Sequence, residues 1–291
     1  MEEGVINTPS IKLQGILAGD SSLIENLLPN EELEIMINYM KELRLNGGFE
    51  ELKLKDGIAP RLIRQEYDNT DYISLGIPIY RHPSDTRLKT FPFTIFVRKI
   101  RDHLSIMLNQ SFNHCLIQFY RSSDDSISLH TDKTLDIAKN SSIVNFSIGA
   151  ARTIMFSKKK DKKRNGDGNI RILLKNNSAF VLGWDSNKEY LHGIKPDKRG
   201  DAEKTWQELA YNKERISFTF RNIATFLKIE RDSAEYMLIG QGASNTTYSG
   251  TNAKLEEEKD RKEMIAAFGI ENRSSSFVWE ELYGKGFNCT F

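Results

Sequence analysis

The spacing of apolar residues along the chain changes near residue 113. Before that point apolar side chains recur every three or four positions, which predicts two helices, over 33–43 and 93–108. Beyond it apolar and polar residues alternate in short runs divided by turn-forming residues, as is typical of strands. Eight strands are predicted, near residues 114–121, 126–131, 142–148, 152–157, 169–175, 178–184, 189–194 and 214–221.

This order of elements predicts an α+β chain with a mainly β core. Eight closely spaced strands behind two helices favour a double-stranded β-helix, or jelly roll, because a parallel sheet would need helices between its strands. The end of the chain carries a charged helix and large apolar residues, so we expect it to dock on the barrel or to contact a partner. The predicted segments are an irregular N-terminal arm and helix (1–57), a main domain (58–230) with a lid (58–93) and a jelly-roll core (113–227), and a C-terminal helical extension (231–291).

Composition narrows the classes of function. The 291 residues are 39% hydrophobic and 28% charged with a formal net charge of +1, so a nucleic-acid partner would have to meet a local basic patch. The basic run at 158–164 is a candidate, although such runs are usually only solvated. Two cysteines are too few for a disulfide framework, and neither a signal peptide nor a membrane-spanning stretch is recognisable. We therefore expect a cytoplasmic or nuclear protein without a membrane partner.

A metal site is indicated by His130 and Asp132. They lie two positions apart in a predicted strand, so their side chains share one face. An imidazole and a carboxylate make two-thirds of the 2-His-1-carboxylate triad that holds non-haem Fe(II) and leaves positions open. His192, at the end of a later strand, is the best candidate for the third ligand, and we interpret His114 as structural. The alternative is a pair of polar residues at a strand end with no metal.

The last predicted strand contributes two arginines. Arg215 and Arg221 alternate with isoleucine and phenylalanine, so both guanidiniums should face the barrel interior. A buried charge without a partner is costly, and arginine binds carboxylates through two parallel hydrogen bonds, so a dicarboxylate ligand fits. Structural salt bridges to Asp or Glu are the alternative. A zinc hydrolase could also use two histidines and an aspartate, but it has no need of two arginines facing the metal.

At these positions the sequence resembles the AlkB-like Fe(II)/2-oxoglutarate dioxygenases. The resemblance covers about residues 58–227 and is closest over 113–227. The matching stretches, in order, are 113–120, which ends in Tyr; Leu-His-Thr-Asp-Lys (129–133); Ile-Val-Asn-Phe-Ser-Ile-Gly (143–149); Tyr-Leu-His-Gly-Ile (190–194); and Arg-Ile-Ser-Phe-Thr-Phe-Arg (215–221).

This resemblance implies Fe(II), 2-oxoglutarate and O2 as cofactor and co-substrates. The iron ligands it implies are His130, Asp132 and His192. The residues it implies for 2-oxoglutarate are Tyr120 and Arg215 at the distal carboxylate, Arg221 and Gln118 at the carboxylate that chelates iron, and Ser217, where the bacterial repair enzymes have an Asn. The implied reaction gives succinate and CO2 and hydroxylates a C–H bond, which on an N-methyl group releases formaldehyde.

The favoured substrate is N-methylated nucleic acid, either DNA or RNA. Tyr67, Tyr80 and Arg81 of the predicted lid would receive a base that has left its stack. Thr134 is the fourth candidate substrate residue, and it stands where the bacterial repair enzymes place an acidic residue that reads the base. This departure and the near-neutral charge favour the alternative, hydroxylation or demethylation of a protein side chain or a small metabolite. A binding module without turnover is a third hypothesis, and the intact histidines and arginines argue against it.

Overall fold

The computed structural model describes residues 9–54, 57–70, 75–82, 89–162, 164, 167–229, 236–244 and 253–289. Its strands are β1 (Ser10–Ile16), β2 (Ser21–Glu25), β3 (Glu50–Leu54), β4 (Gly57–Tyr67), β5 (Ile77–Pro78), β6 (Thr90–Pro92), β7 (His114–Tyr120), β8 (Ile127–His130), β9 (Ile143–Gly149), β10 (Arg152–Lys158), β11 (Ile170–Leu174), β12 (Ser178–Leu182), β13 (Tyr190–Ile194), β14 (Arg215–Arg221), β15 (Thr225–Ile229) and β16 (Tyr236–Gly240). Its α-helices are α1 (Asn30–Leu45), α2 (Ile95–Leu108), α3 (Trp184–Glu189), α4 (Trp206–Leu209), α5 (Ala253–Arg273) and α6 (Trp279–Tyr283).

Two mainly antiparallel sheets form a jelly roll. The large sheet has the strand order β1-β2-β12-β9-β14-β7-β4-β3, with β6 added in parallel to β4. The small sheet has the order β11-β10-β13-β8, and β16, β15 and β5 form a third, three-stranded sheet. The predicted fold class is confirmed, and the eight predicted strands correspond to β7 to β14.

Apolar side chains pack in two layers, one on each face of the large sheet. Phe156 of the small sheet and Phe180 of the large sheet lie between the two sheets. Met40 of α1 and Val97 of α2 pack with Phe218 on the outer face of the large sheet. The apolar stripes of both predicted helices therefore belong to the core, as their spacing indicated.

Strand β14 shows how this layering positions the site. Phe218 and its alternate neighbours are buried in the outer layer against the helices. The residues between them, which include Arg215 and Arg221, face the other side of the sheet and are also buried. The alternation predicted for this strand is present, and the apolar outer face fixes which residues point inward.

The N-terminal arm differs from the prediction of an irregular segment. Strands β1 and β2 form a hairpin, and β2 pairs with β12 to extend the large sheet. Leu23 is buried between the sheets, whereas Ile24 is buried in the helix layer. Because both faces of this short strand are covered, its sequence lacks the clear alternation of a half-exposed strand.

The segment predicted as a lid over 58–93 also differs. Its first part is strand β4, which lies between β3 and β7 in the large sheet. Pro60 does not interrupt the strand because the register against β3 shifts where it falls, so no ladder bond needs its missing N–H group. Residues 71–74 and 83–88 of the predicted lid lie outside the described residues.

The C-terminal helices α5 and α6 contact the jelly roll next to β8. Met264, Phe268 and Tyr283 pack with Leu135 in a separate apolar cluster. Lys159, from the basic run at 158–164, is 1% exposed, and its Nζ donates to the backbone oxygen of Glu271 at 2.6 Å. One lysine of the run is thus a buried contact to α5, whereas Lys163 lies outside the described residues. Among the described helices none combines the length and apolar character that crossing a membrane requires.

Candidate active site

His130, Asp132 and His192 converge at the ends of two neighbouring strands. Strands β8 and β13 pair antiparallel, and their register places His192 directly opposite His130. Asp132 follows β8 by two residues. One ligand atom from each of the three side chains lies within 4.8 Å of the others, and His130 Nε2 is 3.7 Å from Asp132 Oδ1. The three predicted ligands are therefore brought together.

Neighbouring groups orient these ligands. His130 Nδ1 lies 2.8 Å from the backbone oxygen of Ser128, and a proton on Nδ1 donated to that oxygen leaves the Nε2 lone pair free. The side chain of Asn187, on α3, accepts from the backbone N–H of Asp132 at 3.0 Å and donates to its carbonyl at 2.9 Å. Asn187 thereby fixes the backbone of the carboxylate ligand, a contribution that the sequence did not reveal.

The protonation states suit a divalent metal. Burial, and then the neighbouring His192, lower the pKa of His130 to about 3, so this imidazole is neutral at pH 7. Burial also lowers the pKa of His192. Burial opposes ionisation of Asp132, but the Arg221 guanidinium and the two histidines outweigh it and lower the pKa of this carboxyl. Two neutral imidazoles and one carboxylate form the donor set of a non-haem Fe(II) site, so the residues present fit this metal.

Arg221 connects the metal ligands to the inner face of β14. Its Nε and Nη2 donate to Asp132 Oδ2 at 3.1 and 3.0 Å, which leaves Oδ1 for a metal. Its guanidinium carbon lies 4.1 Å from the ring centroid of Tyr80, and its Nη1 has no hydrogen-bond partner among the described residues. Arg221 therefore retains one buried donor for a ligand beside the metal.

Within the described residues, Arg215 has more hydrogen-bond donors without a partner than Arg221 has. It is completely buried, and its Nη2 donates to Asn145 Oδ1 at 3.0 Å and Ser147 Oγ at 2.8 Å. Its Nε and Nη1, together with Ser217 Oγ, have no partner within the described part of the chain. Buried donors without acceptors on one face of β14 fit an anionic, two-ended ligand such as 2-oxoglutarate.

A cavity of about 370 Å³ opens onto the three metal ligands. The predicted site residues that line it are Tyr80, Gln118, Tyr120, His130, Asp132, His192 and Arg221. The predicted residues that do not line it, all in the described part of the chain, are Tyr67, Arg81, Thr134, Arg215 and Ser217. The roles assigned to Arg215 and Ser217 remain predictions, which rest on their unused donors on the inner face.

Arg81 was predicted to contact substrate, and the structure places it elsewhere. It is 1% exposed and pairs with the equally buried Asp136 at 2.7 Å. Its other N–H groups donate to the backbone oxygens of Gly242, Phe287 and Cys289. These acceptors hold the guanidinium inside the protein, so Arg81 joins the C-terminal segment to the jelly roll and does not face the cavity.

Thr134 and Tyr67 also lie away from the cavity. Thr134 is 2% exposed, and its Oγ1 and backbone N–H both donate to Glu271 Oε1, at 2.6 and 3.0 Å. A hydroxyl held in this way is not available to read a base. Tyr67 is buried at the end of β4, where it pairs with His114 of β7.

The cavity is also lined by polar residues that were not predicted as site residues, among them Arg61, Lys133, Asn145 and Asn272. Arg61 Nε donates to Gln118 Oε1 at 2.5 Å, so Gln118 is held by a neighbouring strand. Asn145 lies on β9, which was predicted as a strand, so the period-two pattern could have indicated it. Arg61 lies on β4, which was predicted as part of a lid, and the pattern was not applied there. Nothing near Asn272 in the sequence connects it with the iron ligands.

Comparison with known proteins agrees with this geometry. Residues 20–221 match the family model described as the 2OG-Fe(II) oxygenase superfamily. The chain belongs to this superfamily. Its members use Fe(II), 2-oxoglutarate and O2, and the match includes the three candidate iron ligands and both arginines of β14.

The relatives found are AlkB-like, as the sequence motifs predicted. Human DNA oxidative demethylase ALKBH2 is 27% identical over 143 residues, which are 48% of this chain and 51% of the relative. Mouse alpha-ketoglutarate-dependent dioxygenase alkB homolog 3 is 24% identical over 119 residues, 40% of this chain and 38% of the relative. The chain thus spans about half or less of the length of these relatives. A solved structure described as the structure of OsALKBH1 aligns with a TM-score of 0.48 and 19% identity, over 69% of this chain and 96% of that one.

Proposed function

We propose that the chain is an Fe(II)- and 2-oxoglutarate-dependent dioxygenase that oxidatively demethylates N-methylated nucleic acid. One observation carries the proposal: the ligand atoms of His130, Asp132 and His192 converge in a cavity beside an inner strand face with unused arginine donors. In this proposal the three convergent side chains hold Fe(II). Arg215, with Tyr120, holds the distal carboxylate of 2-oxoglutarate, and Arg221 holds the carboxylate next to the metal.

When bound, Fe(II) with 2-oxoglutarate and O2 supplies an oxidant for a substrate C–H bond, and a hydroxylated N-methyl group separates into formaldehyde and the free amine. The chain's own contribution is orientation. Arg221 keeps Asp132 ionised and directs its Oδ2 away from the metal position. Tyr80 covers the Arg221 guanidinium, and its hydroxyl accepts from the backbone N–H of Lys133 at 2.9 Å, which fixes the segment after β8.

A nucleic-acid substrate is supported by the relatives, of which the human one is named as a DNA oxidative demethylase. His130 and Asp132 line the wall of a cavity, so a base would have to leave its stack to reach them. Two buried free cysteines, Cys115 and Cys289, agree with the cytoplasmic or nuclear location that we include in the proposal.

A second candidate is the hydroxylation or demethylation of a protein side chain or a small metabolite. One observation favours it: Arg81 and Thr134, two residues expected to contact a base, are buried in contacts with Asp136 and Glu271. The net charge of +1 adds no general attraction for a polyanion. The two candidates share the same oxidative chemistry and differ only in substrate.

The test is succinate formation with Fe(II) and 2-oxoglutarate across N-methylated oligonucleotides, nucleosides, peptides and amino acids. His130→Ala should abolish succinate formation. His103→Ala is the matched control because His103 lies on α2, at the outer face of the large sheet. Stimulation by methylated oligonucleotides supports the first candidate, and stimulation only by a peptide or metabolite supports the second. Equal activity of His130→Ala and the wild-type protein would contradict both.

A further inference from the structure

The last turn of α5 places Asn272 in the wall of the active-site cavity. Two contacts orient its amide. Lys133 Nζ lies 2.6 Å from Asn272 Oδ1, and the backbone N–H of Thr131 donates to the same oxygen at 3.2 Å. An ammonium and a backbone N–H can only donate, so the amide must turn its oxygen toward them.

This orientation leaves the NH2 group of Asn272 for the cavity. Its Nδ2 donates to no group in the part of the chain that the structure describes, although the residue lines the cavity beside the iron ligands. Lys133 lines the same cavity, and of its three N–H donors two are used, by Asn272 Oδ1 and by the backbone oxygen of Thr131 at 2.9 Å. The two side chains therefore present hydrogen-bond donors side by side.

The position of Asn272 is fixed by its neighbour Glu271, which is 1% exposed. One carboxylate oxygen of Glu271 accepts from Thr134, and the other accepts from the hydroxyl of Tyr283 at 2.6 Å. The backbone oxygen of Glu271 accepts from Lys159 Nζ. Asn272 is thus held by a buried network and not by a freely moving surface turn.

We propose that Asn272 contacts the substrate and, with Lys133, selects for an acceptor atom on the group that enters the cavity. This deepens the proposed function and rests on it. The chemical class of ligand is one that carries a carbonyl oxygen or an unprotonated ring nitrogen, and nucleobases display such acceptors along their edges. Thr134 donates to Glu271 and is not available to a substrate. Asn272, the next residue after Glu271, supplies a hydrogen-bond donor to the cavity.

Two substitutions separate a substrate contact from a structural one. Asn272→Asp keeps an oxygen toward Lys133 and the Thr131 N–H but replaces the NH2 group by a second oxygen. Asn272→Ala removes both sides of the amide without adding charge. The matched control is Asn38→Asp, at an exposed position on α1.

The assay is fluorescence anisotropy without O2, so that no turnover occurs, with Fe(II) and 2-oxoglutarate present. The probes are a fluorescein-labelled single-stranded oligonucleotide with one N-methylated adenine and its unmodified counterpart. We expect the wild-type protein and Asn38→Asp to bind the methylated probe more tightly. Both Asn272 variants should reduce this preference about three- to tenfold, the effect of one lost hydrogen bond.

Succinate formation without substrate, measured on the same preparations in air, keeps the two proposals apart. It should be equal in the wild-type protein and in Asn38→Asp, and its absence in both, with the methylated probe as well as without it, would refute the dioxygenase chemistry itself. Wild-type preference in both variants would overturn the role of Asn272. A preference that is lost only in Asn272→Ala, together with a lower Tm of that variant, would also overturn this role, because it would indicate that Asn272 is structural. Absence of any preference in the wild-type protein would also refute the inference.

Discussion

Replacing Arg215 by methionine should weaken 2-oxoglutarate binding and at the same time stabilise the ligand-free protein. The guanidinium is fully buried, its hydrogen-bond acceptors Asn145 and Ser147 are both neutral, and its carbon lies 5.0 Å from the ring centroid of Tyr120. Burial lowers the pKa of Arg215 to about 10, so the group is still charged at pH 7. A buried charge without an anion costs folding free energy, which a bound carboxylate would recover.

The size of both effects follows from the contacts. If Nε and Nη1, the donors without partners, bind a carboxylate, each charge-assisted hydrogen bond contributes about 1.5–3 kcal/mol. Loss of two such bonds at the lower value is about 3 kcal/mol, or a rise of roughly 150-fold in KM for 2-oxoglutarate. Removing the buried charge should raise the unfolding free energy by about 1 kcal/mol or more, because apolar replacements of buried ionic groups are often stabilising.

The assay combines succinate kinetics with thermal unfolding, with and without 2-oxoglutarate. The matched control is Arg152→Met, because the Arg152 guanidinium is also buried but donates to the backbone oxygens of Ser122, Asp125 and Lys195. This control should lower Tm, since it removes the donor from three backbone oxygens, of which that of Asp125 is in a buried contact. The reasoning is refuted if Arg215→Met leaves KM for 2-oxoglutarate within twofold of wild type, or if it lowers Tm as much as the control does.

Three other substitutions probe separate contacts. Asp132→Asn should reduce bound iron and succinate formation to background by metal analysis and kinetics, and retention of stoichiometric iron would argue against the triad. Asp136→Asn leaves the Arg81 charge buried without its anion, so urea unfolding should show that the free energy of unfolding falls by about 3–5 kcal/mol. An unchanged unfolding midpoint would contradict this. Glu271→Ala should lower the free energy of unfolding by about 1–3 kcal/mol, because the hydroxyls of Thr134 and Tyr283 lose their acceptor, and KM for 2-oxoglutarate should be unchanged. A large change in that KM would show that α5 acts on the co-substrate instead.

Period-two alternation was sufficient to predict the jelly roll and the inner face of β14. The same rule placed His130 and Asp132 on one face, because residues two apart in a strand must share it. It succeeded for these residues since one face of each strand is covered by apolar packing, as Phe218 shows for β14. The β1–β2 hairpin was missed because apolar packing covers both faces of β2, which pairs with β12 inside the large sheet, and its sequence therefore lacks the alternation.

The substrate residues were harder to predict because burial depends on distant partners. Arg81 and Thr134 resemble exposed binding residues when only their neighbours in sequence are considered. Their acceptors are 55 positions away for the Arg81–Asp136 pair and 137 positions away for the Thr134–Glu271 bond. Local patterns carry no information on such pairings, and Asn272 escaped notice for the same reason.

The contact between Arg81 and residues 287–289 has a consequence for biosynthesis. A ribosome releases residue 81 long before it makes the carbonyl groups of Phe287 and Cys289 that accept from this guanidinium. Until those residues are made, the Arg81 guanidinium lacks these two acceptors, and the surface of the jelly roll that α5 covers is exposed. A premature stop codon before residue 271 would yield a chain that keeps its iron ligands and both arginines of β14 but lacks the acceptors that Arg81 and Thr134 use at the end of the protein.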